Sequence, residues 1–101
     1  MASPPWQFAA ELWLASSVDS WVFVTVPREL SEDIREADTA PPKGFGSVRV
    51  EVTQGDTTWR TSVFPDAASG CFVLPVKKAV RRAEGLEVGD TATFTLTLED
   101  A

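Results

Sequence analysis

The residues best placed to do chemistry are four cations, Lys77, Lys78, Arg81 and Arg82, within residues 76–82. Read as a helix at about 100° per residue, they spread over one arc of roughly 140°. Their chemistry is the docking of negative charge, on an acidic protein partner or a small anionic ligand. They stand out because the chain carries a formal net charge of −6. Lys77 and Lys78 also fall in the first turn of that helix, where a cation is mildly unfavourable against the helix dipole. The plainer alternative is a solvated, solubilising face.

Other chemistry is thinly represented. There is no histidine, which removes Ser-His and Cys-His nucleophile pairs and the common His-containing zinc sites. The single cysteine, Cys71, has no partner for an internal disulfide. It lies in a strand-like run with Phe72 and Val73 and reads as a small buried hydrophobe rather than a reactive thiol. The acidic balance disfavours nucleic acid, whose phosphates supply most non-specific affinity. The opening MASPPWQF has no basic segment followed by an apolar run, so no signal peptide is expected. No apolar run approaches membrane-spanning length. The expected location is cytoplasmic, away from any membrane.

The elements that must position the cations are well marked. Pro75 suits the first helical position, where its missing N–H is no loss. Val76, Ala79, Val80 and Ala83 follow at helical spacing as an apolar stripe. Gly85 sits where a left-handed helix ending is wanted, with Leu86 placed to pack back against Val80. Gly89 and Asp90 make a turn. Residues 91–98 then alternate: Ala92, Phe94, Leu96 and Leu98 face a core and four threonines face away.

Upstream, residues 1–5 are a lead-in containing Pro4 and Pro5. Residues 6–99 are expected to form a single domain of ordinary size for one core. Residues 6–14 alternate as a strand with Trp6, Phe8, Ala10, Leu12 and Leu14 on the core face, leaving Trp13 on the other. Residues 16–20 are turn-like. Residues 21–26 are apolar on both faces apart from Thr25, which predicts a strand covered on both sides. Pro27 opens a helix with the stripe Leu30, Ile34 and Ala37 and an acidic polar face in which Arg28 and Arg35 are interspersed. Residues 38–44 read as a loop.

Residues 46–65 predict a hairpin turning at Gly55-Asp56. That turn sets Val52 opposite Trp59, Val50 opposite Thr61 and Val48 opposite Val63. Glu51 faces Arg60 and Arg49 faces Ser62 on the other side. The Glu51–Arg60 pair reads as an exposed structural pair. Residues 65–70 read as a loop. Residues 24–27 followed by a helix echo residues 72–75 followed by a helix, with the two prolines aligned. The expected fold is mainly β with two short helices. It is a small closed or split β-barrel capped by those helices, with pseudo-twofold strand–proline–helix units. A chain that carries both capping units is expected to be a monomer.

The order Phe8-x-Ala10-x-Leu12, Trp21-Val22-Phe23-Val24-x-Val26-Pro27, Phe72-Val73-Leu74-Pro75 through Arg81, and Gly85-Leu86-x-Val88-Gly89-Asp90 resembles a bacterial family known as domain of unknown function 1905. The resemblance covers nearly the whole chain and implies a small split barrel capped by helices. It implies no activity and no catalytic residue. Residues 70–90 also resemble the swapped-hairpin barrels of the AbrB and MazE kind, which build one barrel from two chains. Here both units lie in one chain, so that resemblance implies a monomeric pseudo-dimer.

Three functional readings follow. The favoured one is a non-catalytic binding or interaction module without cofactor or metal, contacting its partner through Lys77, Lys78, Arg81 and Arg82. An enzyme using carboxylate, lysine or Cys71 chemistry has no paired motif behind it. A nucleic-acid binder of the AbrB kind is opposed by the charge.

Overall fold

Alternation of apolar and polar residues makes strand the main regular structure of this chain, and the computed structural model describes residues 4–15, 21–38 and 46–99. The expectations for residues 1–3, for the turn at 16–20 and for most of the loop at 38–44 lie outside the described residues. Within them run strands β1 (Trp6–Glu11), β2 (Trp13–Leu14) and β3 (Val22–Thr25), helix α1 (Arg28–Ala37), strands β4 (Val48–Gln54), β5 (Thr57–Asp66) and β6 (Cys71–Pro75), helix α2 (Lys78–Glu84) and strand β7 (Thr91–Leu98).

The strands are antiparallel in the order β1-β7-β4-β5-β6-β3-β2. The two ends of that order are the two halves of one run, residues 6–14, so the sheet curls into a nearly closed barrel. The expected single strand 6–14 is therefore corrected to two, broken at Leu12. Leu12 is buried and turns its backbone to the 89–90 turn: its N–H donates to Asp90 C=O (2.9 Å), and its C=O accepts from Gly89 N–H (2.8 Å). Beyond the break Leu14 is exposed rather than in the core. Trp6, Phe8, Val50, Val52, Val63, Phe94 and Leu96 fill the interior with Val24, Phe72 and Leu74.

The β4–β5 hairpin has the expected register at every pair, from Val48–Val63 to Val52–Trp59, with Glu51 opposite Arg60. A two-residue turn at Gly55, with φ +59°, leaves no freedom to slip. The expected loop at 65–70 is shorter than read, because β5 continues to Asp66 and leaves β4 to pair with β6. Pro65 sits inside this strand without penalty. Its partner Phe72 directs its own N–H and C=O away from β5, to Ser31 Oγ and Val26 N–H. The Pro65–Phe72 pair therefore exchanges no ladder hydrogen bonds and needs no N–H there.

Pro75 likewise ends β6 rather than opening α2, which corrects the expected helix start. Its fixed φ also suits an extended strand, and pairing with β5 has already stopped at Val73. The helix begins at Lys78, with Lys77 as its N-cap. In seven residues it turns only Val80 fully inward. Val76 is buried as a strand-side residue before the helix, whereas Ala79 and Ala83 are exposed. Gly85 ends the helix in the left-handed region, φ +66° and ψ +36°, as expected. Leu86 N–H donates to Arg81 C=O (2.8 Å), and Leu86 packs against the core.

These starts redefine the internal repeat. β3 and β6 pair antiparallel about Val24 and Leu74, and their continuations carry α1 and α2 off opposite ends of the pair. The N-caps are Pro27 and Lys77. Ser31 N–H donates to Pro27 C=O (2.8 Å), and Arg81 N–H donates to Lys77 C=O (3.1 Å). Matching positions are thus 50 apart, and Leu30 corresponds to Val80. Aligning the two prolines instead put the apolar stripes out of phase. The true equivalent of Pro27 is Lys77.

Candidate functional site

Pro75 and Val76 lead β6 into α2 beside the middle of β5 and the start of β3. Here the surface opens into a groove of about 420 Å³. Its buried lining is Val22, Trp59 and Val76. Trp21 and Phe64 supply exposed aromatic surface, 49% and 38% accessible, and Pro75 lies between their strands. Arg60, Lys77, Lys78 and Arg81 add four cations, and among the described residues no carboxylate lines the groove.

The alternation of each strand explains who takes part. Val22, Val24 and Val26 point into the barrel, so Trp21, Phe23 and Thr25 point out. The expectation that this strand is covered on both faces is corrected. Among the described residues, its outer face carries an aromatic row completed by Trp13 of β2. Trp21 stacks on Phe23 (centroids 5.8 Å apart, 27° between planes), and Phe23 meets Trp13 (5.3 Å, 36°). Trp13 Nε1–H donates to Thr25 Oγ1 (3.0 Å), which fixes the far end of the row.

Lys77, Lys78 and Arg81, three of the four cations singled out in the sequence, line this groove. Arg82 does not; it stands exposed on the helix outside the lining. Arg81 is the most constrained of them. Its Nε–H donates to Val76 C=O (3.0 Å), a carbonyl at the end of the β6 ladder. The guanidinium is thereby tethered by one nitrogen and keeps its two terminal nitrogens for other acceptors. Among the described residues, the side chains of Lys77, Lys78 and Arg82 have no hydrogen-bond or ion-pair partner. Arg60 is held on one side by Glu51 (Nε to Oε2, 3.7 Å), the exposed pair read from the hairpin register.

Trp21, Trp59, Arg60 and Phe64 are groove residues that sequence reasoning did not assign to a site. Trp21 left a signal: with Phe23 it makes the side of the strand opposite the core valines apolar as well. Phe64 left a similar signal, one residue past the core Val63 and so on the outward face; Trp59 left none, because it fits the core face opposite Val52.

Residues 8–96 match the family model described as domain of unknown function (DUF1905). The chain belongs to this family. The resemblance read from the strand–proline–helix pattern is borne out over nearly the whole chain. A comparison with curated proteins finds no match. The DUF1905 family brings no activity with it, so the groove has to be read from its own residues. Among the described residues, no helix is long and apolar enough to cross a membrane.

Proposed function

We propose that this DUF1905 protein is a non-catalytic binding module that takes a small organic anion in the groove beside α2. One observation carries the reading: an apolar groove whose described lining has four cations and no carboxylate, on a chain of net charge −6. Exposed aromatic surface is unfavourable in water, and a ligand body that covers Trp21 and Phe64 removes that cost. Arg81 is the anchor. A planar guanidinium already oriented by its Nε–H bond meets a carboxylate or phosphate with two parallel hydrogen bonds. Lys77 and Lys78 add charge and have no competing partners among the described residues. The volume lies within the roughly 300–1,000 Å³ of small-molecule sites, which supports a small ligand over a protein surface. Cations, aromatics and one threonine hydroxyl bind and orient a ligand rather than move protons. One chain supplies both strand–helix units, which supports a monomeric binding unit.

Calorimetric titration with 2-naphthoate tests this. Binding should weaken as salt is added, because exposed cations are screened. Lys78→Glu should weaken it by about tenfold, a change of about 1.4 kcal/mol, with the melting temperature unchanged. Arg82→Glu makes the same charge change outside the groove and should leave the affinity alone. Equal loss in both variants would mean that only the general field of the helix attracts the anion, and the groove would not be the site.

A further inference from the structure

We infer that the ligand of this groove carries a flat aromatic ring behind its anionic group. The inference rests on the anion-binding reading above and narrows the class of ligand.

The carrying observation is the state of Trp21. One side of its indole stacks on Phe23, with centroids 5.8 Å apart and 27° between planes. Phe23 in turn is braced by Trp13 at 5.3 Å, and Trp13 is tied through Nε1–H to Thr25 Oγ1 at 3.0 Å. The row is held from behind, yet 49% of Trp21 remains accessible where it lines the groove. A large aromatic held rigid and left half-bare is a pre-organised stacking surface. A second ring laid on it gains an offset-stacked contact beyond the area it buries. The groove is also two-sided. Its aromatic lining comes from Trp21, just before β3, and from β5, whereas three of its four cations come from residues 77–81. A ligand that satisfies both sides has a ring at one end and a carboxylate or phosphate at the other.

The test is calorimetric titration with four probes: 2-naphthoate, 2-naphthyl phosphate, octanoate and 2-naphthalenemethanol. One naphthyl anion should bind tighter than octanoate, and the better of the two identifies the anionic group. Trp21→Leu keeps apolar bulk but removes the ring. It should weaken the naphthyl anion by roughly two- to tenfold, the range of an aromatic pair, and leave octanoate unchanged. Phe64→Leu repeats the comparison from the other strand, should Trp21→Leu lower the melting temperature. Octanoate binding as tightly as both naphthyl anions would overturn the aromatic inference and leave the anion-binding reading standing. So would equal losses for octanoate and naphthyl anions in both variants. The neutral alcohol binding as tightly as the anions would overturn the anion-binding reading instead, and failure of every probe would overturn both.

Discussion

The two strand–helix units of this barrel start alike and end differently. In both, an extended N-cap follows the strand, and the residue four positions on closes the first helical turn. In both, a side chain five residues past the last strand-side valine donates to that valine's carbonyl. In the first unit the donor is Ser31 Oγ, at 3.1 Å from Val26 C=O. In the second it is Arg81 Nε, at 3.0 Å from Val76 C=O. Ser31 is wholly buried and also accepts from Phe72 N–H (3.0 Å), so it closes the end of the β3–β6 ladder and locks α1 onto it. Arg81 serves the same carbonyl position from the rim and remains partly exposed.

The surrounding cations follow the same division. Arg28 donates to Ser69 C=O (2.9 Å) and Arg35 to Gly70 C=O (3.0 Å), and Arg35 lies 4.8 Å over the Phe72 ring. The arginines of α1 thus clasp the turn between β5 and β6. Lys77 and Lys78 hold nothing among the described residues and line a groove. One local pattern, used twice, gives a structural clamp at one end of the strand pair and an open cationic surface at the other. A binding surface needs side chains whose partners are missing, and the second unit leaves them so.

The largest effects are expected in the core. Ile34 on α1 is fully buried and Val80 on α2 nearly so. Ile34→Ala should cost roughly 2–5 kcal/mol and Val80→Ala about 1–3 kcal/mol, both from lost burial and the cavity left behind. Urea denaturation of both variants measures the difference. A Val80 variant as damaged as the Ile34 variant would mean that α2 is as firmly built in as α1.

A smaller effect tests the clamp itself. Ser31→Ala removes the hydroxyl between Val26 and Phe72 and leaves a buried N–H without its partner. The expected loss is roughly 1–3 kcal/mol, the cost of an unsatisfied buried donor. Amide exchange should report it locally, with Phe72 N–H losing protection before the β4–β5 ladder does. Unchanged protection at Phe72 would show that the serine is not the lock.

The smallest effects separate the two sets of cations. Arg35→Ala should destabilise by about 0.5–2 kcal/mol, through one hydrogen bond and one exposed cation–π contact. Lys78→Ala should stay within about 0.5 kcal/mol of wild type, as surface changes without partners do. Melting curves that move equally for both would erase the distinction drawn between the two ends of the barrel.

Much of this fold is legible in the chain alone, wherever the constraint is local. Two residues at Gly55-Asp56 are enough to set every pair of the β4–β5 hairpin, because side chains alternate with period two and any slip would turn Val48, Val50 and Val52 out of the core. Gly85 marks its helix end because only a residue without Cβ is at ease at φ +66°. The strand–proline–helix order likewise announces the family. The prolines misled about phase, since a fixed φ near −65° suits the end of a strand as well as the start of a helix, and only the ladder partners of Pro75 decide between them.

The groove was beyond local reading. The cluster at 77–82 shows in the sequence as charge, but which of its members share a surface depends on where β6 stops and α2 begins. Its aromatic wall is assembled from Trp21 on the approach to β3 and from Trp59 and Phe64 on β5. These positions are distant in the chain and become neighbours because β6 lies between β5 and β3 in the sheet. Which residues alternate, turn and cap follows from the chain alone, since those choices are settled within a few bonds of backbone. Tertiary structure alone decided which side chains were left without partners around one hollow, because a missing partner is a property of everything that packs nearby.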